Sequence, residues 1–311
     1  MIVLLETVHD DARRILEDAD DVVLTSDPSG IDSMIDREEV RAVVTRGRGR
    51  IDDDLLRSLP RAAVVGRCGA GLDNIDVSAA AALGVAVVHA PGSTTSAVAE
   101  HAVMLMLAIA RRLPDLAGAV QSGDWARRDG YLGTELRGKR LGIIGLGAIG
   151  SRVAEIGRCF DMEVVCTTSR DDVAIPRLTL EELLVTSDVV QICTALNTRT
   201  TALLGAAEFT LMRPHVLLVN TARGAIVDHH ALAAALREGR LGGYGADVWC
   251  DEPPIDTRLL ADERVLVTPH VAALTDTTYR EICVRTAESV AAILAGEHPD
   301  PTTVRVGTIE N

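Results

Sequence analysis

The stretch RLGIIGLGAIGSRVAEIGRCF, residues 140–160, decides the fold. An apolar run, LGII, leads into a G-x-G-x-x-G string at Gly145 to Gly150 and then into a helical pattern from about Ile149 to Phe160. In a chain with 26 glycines the string alone is weakly specific, and its context makes it specific. A strand before it and a helix after it aim backbone N–H groups and a helix N-terminus at a pyrophosphate. Gly145, Gly147, Ala148, Ile149 and Gly150 are therefore the candidate dinucleotide cradle.

Working outward, the same alternation continues on both sides. Downstream come EVVCTT, the helix TLEELLVT, DVVQICTA, HVLLVNTA, the helix HHALAAALREG, YGADVW and RVLVTPH, then an amphipathic helix from about Thr275 to Ala295. Upstream, from residue 2 to about 90, short β-branched runs (IVLLE, DVVLT, RAVVT, AAVVG, VAVVHA) alternate with helical segments such as DDARRILEDA and VSAAAALG. Continuous apolar strands between amphipathic helices predict parallel sheets covered on both faces. The expectation is α/β: two doubly wound parallel-sheet domains in series, with the final helix packing back on the first. SAVAEHAVMLMLAIARRL, residues 96–113, reads as one long buried helix capped by Ser96 and stopped before Pro114. Residues 121–139, rich in glycine and charge, read as an irregular connection, and the last dozen residues as polar and proline-containing.

The 311 residues are 47% hydrophobic, 24% charged and 2% aromatic, with 31 Lys+Arg against 45 Asp+Glu, a net charge of −14. Disorder and fibres are excluded. A polyanion binder is not expected, because phosphate backbones need clustered positive charge and single strands need aromatic platforms. A small anion would instead need arginines gathered in one place. The six cysteines form no C-x-x-C pair or dense framework, no metal-ligand cluster is apparent, and neither a signal peptide nor a membrane span is evident. The expected compartment is the cytoplasm.

The second strand of a dinucleotide-binding unit commonly ends in an acid that binds the ribose. Here, eighteen residues beyond Gly150, EVVCTTSR ends in Thr168, Ser169 and Arg170. Two hydroxyls and a guanidinium suit a 2'-phosphate, which favours NADP(H) over NAD(H). Asp171 or Asp172 could still reach a ribose if the strand runs longer.

Three late strands end in groups of different chemistry: Arg223 in NTARGAIVD, Glu252 in ADVWCDEPP and His270 in TPHVAALT. An arginine to hold a carboxylate, a histidine to move a proton and a glutamate to orient it can together reduce a 2-keto acid with a nicotinamide hydride. Glu252 beside the imidazole would favour the imidazolium, keeping a proton available for the developing alkoxide. Asp247 in GADVW is either a buried acceptor or a partner of the nicotinamide amide. The other seven of the eight histidines lack such a setting and are read as structural.

Together CGAGLDNIDV (68–77), AVAEHAVMLML (97–107), GTELRGKRLGIIGLGAIG (133–150), NTARGAIVD (220–228), GGYGADVW with EPP (242–254) and TPHVAALT (268–275) resemble the D-isomer-specific 2-hydroxyacid dehydrogenase family over nearly the whole chain. The resemblance implies Arg223 as the group binding substrate carboxylate and carbonyl, His270 as acid/base and Glu252 as its partner. It also implies a flavodoxin-like substrate domain (1–96 plus 280–311) and an inserted Rossmann cofactor domain (97–279), with the active site in a cleft that closes on a hinge. Backbone amides around Gly69, Ala70 and Gly71 would hold the carboxylate, Thr194 and Thr221 would join the coenzyme residues, and a homodimer would form through the cofactor domain and the helix after Ser96.

Within the family the motifs look most like the phosphoglycerate dehydrogenase branch. Arg46 and Arg67, with Arg127 or Arg128 from the other subunit, correspond to positions facing the phosphate end of the substrate. The sequence stops where many such enzymes carry a regulatory domain, so serine feedback is not expected. Cys193 to Leu196 replaces the usual His-x-Pro near the adenine, and Glu252 in place of a glutamine disfavours the formate dehydrogenase branch. The expected reaction is hydride transfer between a nicotinamide and C2 of a small D-2-hydroxy or 2-keto acid bearing a second anionic group. The alternatives are a hydroxypyruvate/glyoxylate reductase and, in another class, an NAD(H)-sensing corepressor-like interaction protein.

Overall fold

The computed structural model describes residues 1–27, 31–253 and 257–306. Pro254 of the EPP string and residues 307–311 of the C-terminal segment lie outside the described residues. The chain forms two compact units, one of Met1–Thr94 with Leu274–Asn311 and one of Thr95–Ala273.

The first unit opens with β1 (Ile2–Leu4), α1 (Asp10–Ala19), β2 (Val22–Leu24), β3 (Ala42–Thr45), α2 (Asp53–Arg57), β4 (Val64–Arg67), α3 (Val77–Ala82) and β5 (Ala86–His89). The five strands run parallel in the order β5-β4-β3-β1-β2. β1 and β3 are buried at every position, which is why they read as unbroken apolar runs. The helices begin where side chains satisfy the first free amides: Asp52 accepts from Leu55 N–H, and Asp76 from Ser78 and Ala79 N–H.

The second unit runs α4 (Thr95–Ala110), α5 (Leu113–Gln121), β6 (Arg140–Ile144), α6 (Ala148–Cys159), β7 (Glu163–Thr167), α7 (Leu180–Thr186) and β8 (Val189–Ile192). It continues with α8 (Ala206–Leu211), β9 (Val216–Asn220), α9 (His229–Arg237), β10 (Leu241–Ala246), α10 (Thr257–Leu260) and β11 (Val265–Val267). Its sheet is parallel throughout, in the order β11-β10-β9-β8-β6-β7. The strand order reverses at β6, so β7 and β8 flank it and a crevice opens beyond their carboxyl ends. α4 lies on the opposite half of the sheet against β9 and β10. A β-carbon added at Gly245 would sit 3.2 Å from that of Leu105, so the glycine lets the helix approach closely.

The segment 96–113 is not one helix. α4 starts at Thr95, with Ser96 inside it, and ends at Ala110; Arg112 turns left-handed (φ 48°), and Pro114 sits in the first turn of α5. Proline is tolerated there because that N–H has no helical acceptor.

The chain then returns to the first unit as α11 (Asp276–Leu294), whose first turn is capped by Thr275, and β12 (Val304–Val306), which pairs antiparallel with β5. A tail read as merely polar thus supplies an edge strand. The return crossing falls before Leu274 rather than at 280, because α11 is one continuous helix belonging to the first unit. Among the described residues no helix is long and apolar enough to cross a membrane.

Candidate active site

The crevice at the switch point is floored by glycine. Gly145 has φ +96°, and a β-carbon there would stand 2.8 Å from the backbone of Thr194, the residue after Cys193 at the end of β8. One at Gly150 would collide with the Gly145 carbonyl. Gly147 is the residue preceding α6 and offers no side chain to cap it, and among the described residues nothing lies within 4 Å of where its β-carbon would stand. The twelve-residue helix therefore presents its first amides, from Ala148 and Ile149 onward, to an open space. This fits a dinucleotide pyrophosphate: the backbone can approach closely and the helix end lacks an internal acceptor.

At the end of β7, the Arg170 N–H donates to Thr168 Oγ1 (3.3 Å) and its guanidinium to the Leu146 carbonyl within the glycine loop (3.3 Å). A cation thus lies against the cradle, beside the hydroxyl of Thr168 and next to Ser169. Asp171 is engaged by Arg177 (2.6 Å), whose guanidinium also reaches the Arg170 carbonyl (3.2 Å). Thr221, after β9, accepts from the Gln191 amide (3.1 Å). Burial pushes the Cys193 thiol up to about 12, with a Gln191 hydrogen bond opposing, so this strand end carries a neutral thiol.

Beyond β9, β10 and β11 stand Arg223, Glu252 and His270. His270 Nδ1 lies 2.8 Å from Glu252 Oε2, and Glu252 Oε1 accepts the Trp249 N–H at 3.0 Å. Partial burial favours protonation of Glu252, but the His270 hydrogen bond, the Trp249 amide and the charges of His270 and Arg223 outweigh it and hold this carboxyl below its ordinary value. An ionised Glu252 can only accept, so Nδ1 carries a hydrogen and Nε2 is left to exchange protons with a ligand. The Arg223 guanidinium donates to the Ala222 carbonyl (2.7 Å), and its own carbonyl accepts from Asn220 (2.9 Å).

The turn that carries His270 is wound around Asp247, which is 1% exposed. Its Oδ1 accepts from Thr268 Oγ1 (2.5 Å) and Val271 N–H (2.9 Å), and Oδ2 from Ala272 N–H (2.8 Å). The His270 N–H donates to the Asp247 carbonyl at 2.9 Å, with His270 itself left-handed at φ 54°. Of the two readings of Asp247, the buried acceptor accounts for these bonds. His101, read from sequence as structural, reaches the cluster through Nε2, 2.8 Å from Thr268 Oγ1. The signal available was the one imidazole of a largely apolar helix.

In the other unit, the Gly69–Gly71 turn follows β4. Gly69 has φ +151°, its carbonyl accepts from Ala90 N–H, and the Ala70 carbonyl meets His89 Nδ1 at 2.9 Å. Arg67 lies across this turn, donating to the Cys68 carbonyl, with its guanidinium also beside Gly47. Arg46 stacks over Tyr279, 5.5 Å from the ring centre, and its backbone N–H donates to Glu6. Arg50 is exposed and pairs with Asp52 at 3.6 Å. Of Arg127 and Arg128, either of them a candidate to reach another subunit, Arg127 is bound by Asp115 (2.8 Å) and Glu263 (3.2 Å) of its own chain.

A glycine cradle at a switch point, followed in one sheet by Arg223, Glu252 and His270, defines a dinucleotide-binding α/β unit with an acid–base pair at its strand ends. Residues 103–272 match the family model for the D-isomer specific 2-hydroxyacid dehydrogenase NAD binding domain, and the chain belongs to that family. It is 41% identical to a glyoxylate reductase of Aeropyrum pernix over 84% of this chain and 82% of that one. It is 36% identical to a D-3-phosphoglycerate dehydrogenase of Archaeoglobus fulgidus over 82% of this chain, spanning only 50% of that relative's length. Among solved structures it is similar to an NADPH-dependent glyoxylate/hydroxypyruvate reductase from Sinorhizobium meliloti in complex with NADP and malonate. There the TM-score is 0.88 at 26% identity, covering 98% of this chain and 96% of that one.

Proposed function

We propose that the protein is a cytoplasmic oxidoreductase that transfers hydride between NADP(H), in preference to NAD(H), and C2 of a small D-2-hydroxy or 2-keto acid. The observation that carries the reading is the His270–Glu252 pair at 2.8 Å, beside Arg223 and in the same unit as the glycine cradle. The bound nicotinamide supplies the hydride. Arg223 holds the substrate carboxylate and carbonyl through charge-assisted hydrogen bonds. His270 Nε2 delivers a proton to the carbonyl oxygen during reduction and takes it from the hydroxyl during oxidation, while Glu252 stabilises the imidazolium and fixes the ring. Asp247 serves mainly to hold the turn, with one Oδ2 lone pair left for a nicotinamide amide.

For the coenzyme, Thr168, Ser169 and Arg170 support a 2'-phosphate, and the engagement of Asp171 by Arg177 leaves the adjacent carboxylate less able to bind a ribose. For the substrate, Arg46, Arg67 and the Gly69–Gly71 amides support a second anionic group. The glyoxylate reductases among its relatives favour a second reading, in which hydroxypyruvate or glyoxylate is the substrate. A homodimer is supported by Met104, Leu113 and Phe160, exposed apolar side chains around a hollow of about 720 Å³ along α4.

Oxidation of NADPH is to be followed with glyoxylate, hydroxypyruvate, phosphohydroxypyruvate and phosphonopyruvate. Turnover with at least one is expected, with loss in His270→Asn and Arg223→Ala; full activity in both variants overturns the mechanism. Arg170→Ala is expected to lower the NADPH to NADH ratio of kcat/KM about tenfold, the weight of one hydrogen bond to a charged group. An unchanged ratio, or a native preference for NADH, overturns the coenzyme assignment.

A further inference from the structure

The direction of the hydrogen bonds around Asp247 can be worked out from valence. Asp247 already accepts two backbone N–H groups, and as a carboxylate it can only accept. The single hydrogen of Thr268 must therefore point at Asp247 Oδ1, 2.5 Å away. That leaves only lone pairs on Thr268 Oγ1 for His101, 2.8 Å off, so His101 Nε2 must carry a hydrogen and donate it. Nε2 also lies 3.4 Å from Asp247 Oδ1, placing a second partial positive charge on the same oxygen. The His101 side chain is 14% exposed, which shields these bonds from competing water. The chain His101 → Thr268 → Asp247 ← Val271, Ala272 thus ties α4 to both ends of the turn that holds His270 left-handed, a conformation that a non-glycine residue adopts only when its surroundings impose it.

We propose that His101 is a positioning residue: the donor that closes this chain and thereby fixes the His270 turn in its working geometry. It does not touch substrate and moves no proton in the reaction. The inference rests on His270 being the acid–base group.

The test compares His101→Leu, His101→Gln and Thr268→Val with the native protein. In the coenzyme-free state, the Val271 and Ala272 amides should exchange at least about tenfold faster in His101→Leu and Thr268→Val, because local opening becomes easier. With the best keto acid, the same two variants should lose about tenfold or more in kcat with coenzyme KM within about twofold, since small misplacements near the chemistry are costly. His101→Gln, which keeps an N–H donor, should restore both. A space-filling role would be served as well by leucine as by glutamine. If His101→Leu keeps native exchange and kcat, or if glutamine fails as badly as leucine, the inference is overturned. Should His101→Leu not fold, Thr268→Val carries the same two criteria. Full activity in His270→Asn would sink the underlying reading, whereas its loss together with a native-like His101→Leu would sink the positioning role alone.

Discussion

The Glu252 and His270 side chains are about 40% and 45% exposed, so solvent screens their bond and its value lies in geometry more than in stability. Its pH dependence still has a definite sign. The Glu252 carboxyl is held below its ordinary value of 4.5, so protonation is harder in the folded protein than in the unfolded chain. The resulting stabilisation is complete above the ordinary glutamate range and fades as pH falls through the lowered folded value. Thermal midpoints measured from about pH 6 down to about pH 3 should therefore fall more steeply for the native protein than for Glu252→Gln, in which this contribution is absent throughout. Parallel curves would remove the ionised pair from the account. At neutral pH, Glu252→Gln should lower kcat by about 10² or more, because the amide no longer stabilises the imidazolium.

Among the elements, α6 carries the sharpest contrast between folding and function. Its N-terminus lacks the side-chain cap that Asp52, Asp76 and Thr179 give to α2, α3 and α7. Gly147→Asp would supply one, since Gly147 has extended backbone angles that any residue adopts and open space for a side chain. The free protein should gain a few tenths of a kcal/mol of stability, about one degree in Tm. Coenzyme affinity should fall sharply, because the new carboxylate competes with the pyrophosphate for the same amides. Tm of the free protein and coenzyme KM, measured together, check both directions; a Tm gain with unchanged KM would move the pyrophosphate elsewhere.

Buried strands such as β1, β3, β8 and β9, and the cradle, were legible because burial on both faces leaves an apolar run and a phosphate turn demands glycine. The six-residue α8, starting after Gly205, was too short to show a helical period, and β12 exists only through its pairing with distant β5. Pro114 misled because proline just inside a helix start reads locally like a helix stop. His101 was missed because periodicity cannot say which buried side chain finds a polar partner across the fold, and Arg177 because an irregular connection has no period to show that its guanidinium turns back onto Arg170 and Asp171.

At the scale of the whole molecule, each unit has hydrophobic cores of its own. Those of Thr95–Ala273 form from Ile144, Leu183, Phe209 and Tyr244 on one side of the sheet and Leu105, Ile143, Val153 and Val219 on the other. A fragment of residues 95–273 should therefore unfold in a single cooperative transition, and NADPH should raise its Tm by mass action even without the other unit. A fragment without a cooperative transition would show that this unit depends on the rest of the chain. The first unit is assembled differently. Its sheet is filled by residues 1–94, yet α11 covers β4 and β12 borders β5 only after another 180 or more residues have been joined. During synthesis, therefore, β1 to β5 are made well before α11, which packs on β4, and β12, which borders β5, with the whole Thr95–Ala273 unit made in between. In this protein the order of manufacture is not the order of completion: β4 and β5 gain their last neighbours only after the other unit has been made.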